Sequence, residues 1–136
     1  MVWNALQKWL IFLLPKIEQC NKAGITDIIV DPGFGFGKTI EHNLSLLKNM
    51  NAFSILAKPV LAGISRKSTI YKTLNTTADN ALNGTTVLNT IALMNGASIL
   101  RVHDVKEAKE AVTLYMAYKK ASACWRMLFY ELIFID

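Results

Sequence analysis

Cysteine is scarce in this chain. Only two occur in 136 residues, Cys20 and Cys124. They lie far apart with no C-x-x-C, which argues against a zinc site or a thioredoxin-like motif. They read as two free, inert thiols in a reducing compartment. Charge is thin as well, at 18% of residues, with 15 basic against 10 acidic side chains and a net charge of +5. No Lys/Arg block is long enough for a nucleic-acid arm, so no nucleic-acid partner is expected. The mild basic excess suits an anionic ligand. Long apolar runs are missing too. Residues 121–136 form an apolar tail without an assigned role; from Cys124 to Asp136 it is broken by Arg126 and Glu131 and too short to span a bilayer. At the other end, Asn4, Gln7 and Lys8 interrupt the apolar residues, Pro15 and Lys16 follow, and no small-residue cleavage site appears. A signal peptide and a membrane anchor are therefore not expected. What is present, 52% hydrophobic residues in a length suited to one domain, can bury a core.

Trp3, Leu6, Leu10, Leu13 and Leu14 fall at helical spacing, predicting an amphipathic helix that reaches toward Gly24, with Pro15 kinking or restarting it. Beyond it a unit repeats: a short apolar run, a polar or glycine-rich loop, then a helical stretch. The runs are Ile25 to Asp31, Pro59 to Ile64 and Ser98 to His103. Unbroken β-branched runs predict strands covered on both faces. The helical stretches are Ile40 to Met50; Thr69 to Leu74 and Ala78 to Asn95; and Val105 to about Ala121. Asp104 followed by Glu107 has capping-box spacing. Gly24 and Gly96 stand where helices stop. Strands alternating with helices imply a parallel α/β architecture. Three strands make an uncomfortable open sheet with bare edges. The units have the size of those in a (β/α)8 barrel, of which this chain has room for about half.

Ligands of parallel α/β folds bind at the carboxyl ends of the strands. Here those ends read Asp31-Pro-Gly-Phe-Gly-Phe-Gly-Lys38, Gly63-Ile-Ser-Arg-Lys-Ser68 and Arg101-Val-His103-Asp104. Arg101 and His103, two apart on a strand, would point the same way. Asp31 would share a rim with Lys38, Arg66, Lys67, Arg101 and His103: one carboxylate among cations, suited to an anionic, phosphorylated ligand with N–H donors. Plainer readings exist for each part. Asp31 before Pro32 also suits a turn, the three glycines relieve a tight loop, and Arg101 and His103 could pair with Asp104. The loop is not a Walker P-loop, since three residues rather than four separate Gly33 from Gly37-Lys38-Thr39. His42 lies on a helix whose apolar positions are Ile40, Leu44 and Leu47 and reads as a surface residue.

The three motifs, with Asn83-Gly84-Thr85 and Asn95-Gly96-Ala97, resemble the second half of dihydropteroate synthase over about residues 15 to 120. The resemblance implies a partial (β/α)8 TIM barrel in residues 1–120, its three parallel strands being barrel strands six to eight with their helices. It implies condensation of 6-hydroxymethyl-7,8-dihydropterin diphosphate with p-aminobenzoate, giving 7,8-dihydropteroate and pyrophosphate, in the cytoplasm. In that family's terms Asp31 would accept from the amino-pyrimidine edge of the pterin. Lys67 would bond the pterin ring, and Arg101 would stack on it. Arg101 and His103 would hold the leaving diphosphate, and Phe36 and Ser68 would line the p-aminobenzoate pocket. Gly35 and Gly63 would let backbone approach the ligands. Lys67, Arg101 and His103 are the catalytic candidates. The mechanism implied is dissociative, with Mg2+ assisting the diphosphate. The metal-holding strand belongs to the missing five strands, so no metal ligand is assigned here. The chain would be inactive alone and would pair with itself or with a missing N-terminal half. Two other readings use the same residues: a non-catalytic pterin- or anion-binding remnant, and the pterin domain of a methyltetrahydrofolate-dependent methyltransferase.

Overall fold

The computed structural model describes the backbone of residues 2–133 and the side chains of residues 6–121. Helix α1 spans Val2–Lys22. Leu6 is buried, and Leu10, Leu13 and Ile17 pack against the core, a stripe at helical spacing. Leu14, expected on that stripe, is 51% exposed. Pro15 neither breaks nor restarts the helix. It lies on the solvent face, where water can take the carbonyl that its missing N–H leaves free. Gly24 ends the segment in the left-handed region at φ +80°, where glycine has no Cβ to clash.

Three extended segments follow in parallel. Strand β1 is Leu61–Ala62 and β2 is Ile99–Leu100, with Leu61 opposite Ile99 and Ala62 opposite Leu100. The first apolar run supplies only a parallel bridge, Val30 to Val60, held by Val30 N–H to Pro59 O at 2.9 Å and Leu61 N–H to Val30 O at 2.8 Å. The expected strand covered on both faces is thus shortened. Val30 is buried, whereas Ile25 and Ile29 are exposed, because no described element packs on that outer edge. The order is first run, β1, β2.

Helices separate these segments. Helix α2 is Ile40–Lys48, a 3-10 helix spans Met50–Leu56, α3 is Ser68–Thr73, α4 is Leu82–Met94 and α5 is Val105–Ile133. Thr39 caps α2, its hydroxyl accepting from His42 N–H. The 3-10 helix has no counterpart in the periodicity, yet its Met50 and Phe53 are among the most deeply buried side chains. They join Val30, Val60, Ala62, Ile64 and Ile70 in one core between sheet and helices. α3 packs on α4 at Gly84, where a Cβ would fall inside contact distance of Ile70 Cγ2 and 2.9 Å from Leu74 Cδ1. α4 lies along α5. The latter continues to Ile133, past Ala121, where the pattern suggested an end. Of the apolar tail expected at residues 121–136, the side chains beyond Ala121 lie outside the described residues. No helix among the described residues is long and apolar enough to cross a membrane.

Candidate functional site

The chain reaches the carboxyl end of each parallel segment and turns there into a loop. The first loop, Asp31 to Thr39, is held from inside. Asp31 Oδ1 accepts Gly33 N–H at 2.8 Å, and Lys38 Nζ donates to Gly33 O at 2.7 Å. Asn43 is decisive here. Its Oδ1 accepts Gly35 N–H at 2.8 Å while its Nδ2 donates to Thr39 O at 2.9 Å. Asn43 is 2% exposed, so its amide replaces water for two loop backbone groups that burial would otherwise leave unpaired. The sequence carried the signal: Asn43 stands at i+3 from Ile40 and i−4 from Leu47, on the helix face that should be apolar. His42, one residue earlier, is exposed as expected.

Asp31 does the turn work with one oxygen and faces the site with the other. Its Oδ2 lies 3.1 Å from Arg101 Nη1. Arg101 comes from the end of β2, and its guanidinium crosses over Gly63, beyond β1. A Cβ at Gly63 would stand 2.7 Å from Arg101 Nη2 and 3.2 Å from Cζ, so only glycine leaves this room. Lys67, from the loop after β1, reaches toward the same first loop. Its Nζ donates to Phe34 O and stands 5.0 Å from the centroid of the Phe36 ring, within cation–π range. Its stem passes over Gly35, where a Cβ would be 3.1 Å from Lys67 Cδ. Phe36 is 74% exposed, an aromatic face held out beside an ammonium. Burial, with Arg101 nearby, lowers the Lys67 ammonium below the ordinary lysine range, and burial lowers Lys38 likewise.

Asp31, Gly35, Phe36, Gly63, Lys67 and Arg101 are therefore brought together. Ser68 adjoins them as the first residue of α3. His103 stands on the same rim but with a different partner, its Nδ1 lying 2.8 Å from Ser65 Oγ. β2 ends at Leu100, so Arg101 and His103 are carried by the loop beyond it and not by the strand. Arg66, expected in the cationic rim, is spent elsewhere. Its Nε and Nη2 grip Asp104 at 2.9 and 2.8 Å, and its Nη1 donates to Ala78 O and Asp79 O. That bidentate grip lowers the Asp104 carboxyl below its ordinary range. The capping box expected from Asp104 and Glu107 is not the arrangement found, because both Asp104 oxygens engage Arg66. Among the described residues no group of three or more His, Cys, Asp and Glu side chains could hold a metal ion.

The family model described as pterin binding enzyme matches residues 2–103. The chain belongs to the pterin-binding enzyme family. The match takes in α1, which the motifs alone had placed in the resemblance only from about residue 15, and it ends on His103. A dihydropteroate synthase of Haemophilus influenzae is 42% identical over 120 residues, 87% of this chain and 44% of that protein. That of Escherichia coli is 44% identical over 108 residues, 78% of this chain and 38% of that protein. Among solved structures, the Yersinia pestis dihydropteroate synthase superposes with a TM-score of 0.82 at 38% identity, covering 85% of this chain and 49% of that one. A Coxiella burnetii dihydropteroate synthase in complex with pteroic acid gives 0.84 at 38% identity, covering 89% and 47%. This member of the pterin-binding family thus spans less than half the length of the relatives it matches. Its fold is a partial α/β fragment of the barrel that those enzymes share.

Proposed function

We propose that this chain carries one wall of a dihydropteroate synthase site. The observation behind this reading is the Asp31–Arg101 pair over Gly63, with Lys67 and Phe36 beside it, at the ends of three parallel segments. An ionised carboxylate only accepts hydrogen bonds, and Asp31 would receive the N–H groups of a pterin's amino-pyrimidine edge. The flat guanidinium of Arg101 would stack on the ring, which an ammonium cannot do. Phe36 and Ser68 would border the p-aminobenzoate. Arg101 and His103 would take up negative charge as the C–O bond to diphosphate breaks. The aryl amine then attacks the pterin cation and loses its proton. The wall's contribution is electrostatic and positional.

The assignment of the three segments as barrel strands six, seven and eight is part of this proposal and rests on the order of the motifs. The cytoplasmic location belongs to the proposal too, and it suits soluble substrates and the free thiol of Cys20. Mg2+ does not fit the residues present: Asp31, the one carboxylate among the site residues, is engaged by Arg101 and by Gly33 N–H. Such an ion would need ligands from the diphosphate and from outside this chain.

Titration calorimetry with a pterin analogue and with pyrophosphate tests the reading. Asp31→Asn should weaken the pterin analogue by about ten- to a hundredfold, the worth of a mismatched buried hydrogen bond at about 1–3 kcal/mol. Arg101→Ala should weaken both ligands. Unchanged affinity in both variants overturns the proposal. The methyltransferase reading is disfavoured by relatives named dihydropteroate synthase at 42% and 44% identity. Retained binding without turnover would match the remnant reading.

A further inference from the structure

Ser65 lies below the rim, 4% exposed, and both of its described hydrogen bonds go to His103. Its Oγ accepts the His103 main-chain N–H at 3.1 Å and lies 2.8 Å from His103 Nδ1. A serine hydroxyl has one proton to give and two lone pairs to offer. Among the described residues no other acceptor takes that proton. Were Nδ1 protonated, Oγ would receive two N–H groups and its own buried O–H would be left without a partner, which is costly. Donation from Oγ–H into Nδ1 satisfies every group at once.

We infer that Ser65 is a positioning residue for His103, fixing the neutral ring in its Nε2–H tautomer. The exposed ring then presents an N–H donor to solvent, two residues along the loop from Arg101. A neutral histidine donates this way without having to gain a proton, whereas the other tautomer would turn a lone pair toward an arriving anion. The use made of that donor rests on the anion-site reading above; the tautomer itself does not.

Nitrogen-15 NMR of the whole chain, without ligand, tests it at about pH 8, above the ordinary histidine range. The chain has two histidines, so exposed His42 is an internal reference. His103 should show protonated Nε2 and unprotonated Nδ1, while His42 shows the averaged signals of a free ring. In Ser65→Ala, His103 should average like His42; in Ser65→Thr, which keeps a hydroxyl, it should stay as in the parent. A protonated Nδ1 in the parent chain, or a His103 signal unmoved by Ser65→Ala, overturns the assignment. Should Ser65→Ala fail to fold, the parent and Ser65→Thr spectra decide. Pyrophosphate titration reads the other question separately: failure of the parent chain to bind removes the anion-site reading and leaves the tautomer standing.

Discussion

Gly63 shows how narrow the tolerance of the site is at the scale of one residue. Its missing Cβ is the space that the Arg101 guanidinium occupies on its way to Asp31. In Gly63→Ala the added methyl would meet the tip of a flexible side chain and not backbone. The guanidinium would swing aside at little cost to the fold. The expected outcome is pyrophosphate affinity about three- to tenfold weaker, the worth of about 1 kcal/mol, with the urea midpoint almost unmoved. An equal affinity would mean that Arg101 does not need this path to its ligand. Most of these side chains were legible in the sequence because each motif ends a strand-like run, and the ends of parallel strands converge. Arg66 was misread for a local reason. Spacing cannot show that its backbone turns to φ +52°, aiming the side chain away from the rim and toward Asp104.

At the scale of elements, the tightest junction is between α3 and α4. Gly84 is enclosed by Ile70 and Leu74, and Ile70 is itself buried. Gly84→Ala would gain helix propensity, worth at most about 1 kcal/mol, but it would overpack the junction, costing about 1–3 kcal/mol. The net expectation is a lower urea midpoint; a midpoint equal to or above the parent's would show that the helices can part without loss. The helices were the legible elements, since most show a 3.6-residue period and α1 and α4 stop at Gly24 and Gly96. The strands were legible as apolar runs but not in extent. Whether Ile25 to Ile29 pair depends on what lies beside them, which a run of β-branched residues does not encode. The 3-10 helix Met50–Leu56 escaped because seven residues at a tighter pitch show no 3.6-residue period.

For the whole molecule, the described residues leave both margins of the sheet bare. The Val30 segment has no described neighbour on its outer side. Beyond β2 a groove of about 670 Å³, bordered by Leu93, Leu100, Val102, Val105, Val112 and Met116, stays open. Bare strand margins and apolar grooves promote association. The purified chain should therefore self-associate in light scattering and form no dihydropteroate, because one wall cannot hold both reactants. A well-behaved monomer with ordinary turnover would refute both expectations. The Arg66 grip has a consequence of a different kind. It joins the loop after β1, the segment before α4 and the turn into α5, which otherwise belong to separate parts of the chain. Such segments open to solvent as one unit, with one opening free energy. In hydrogen exchange, Asp104→Asn should speed the Arg66 and His103 amides by a common factor and leave those of Val30 and Leu61 alone. Acid should act on the same unit. Arg66 favours the charged Asp104, so the grip is complete above about pH 4 and slackens as pH falls through the lowered Asp104 value. The floor of the site would then loosen as one piece, while the ladder between Val30 and Leu61 still holds.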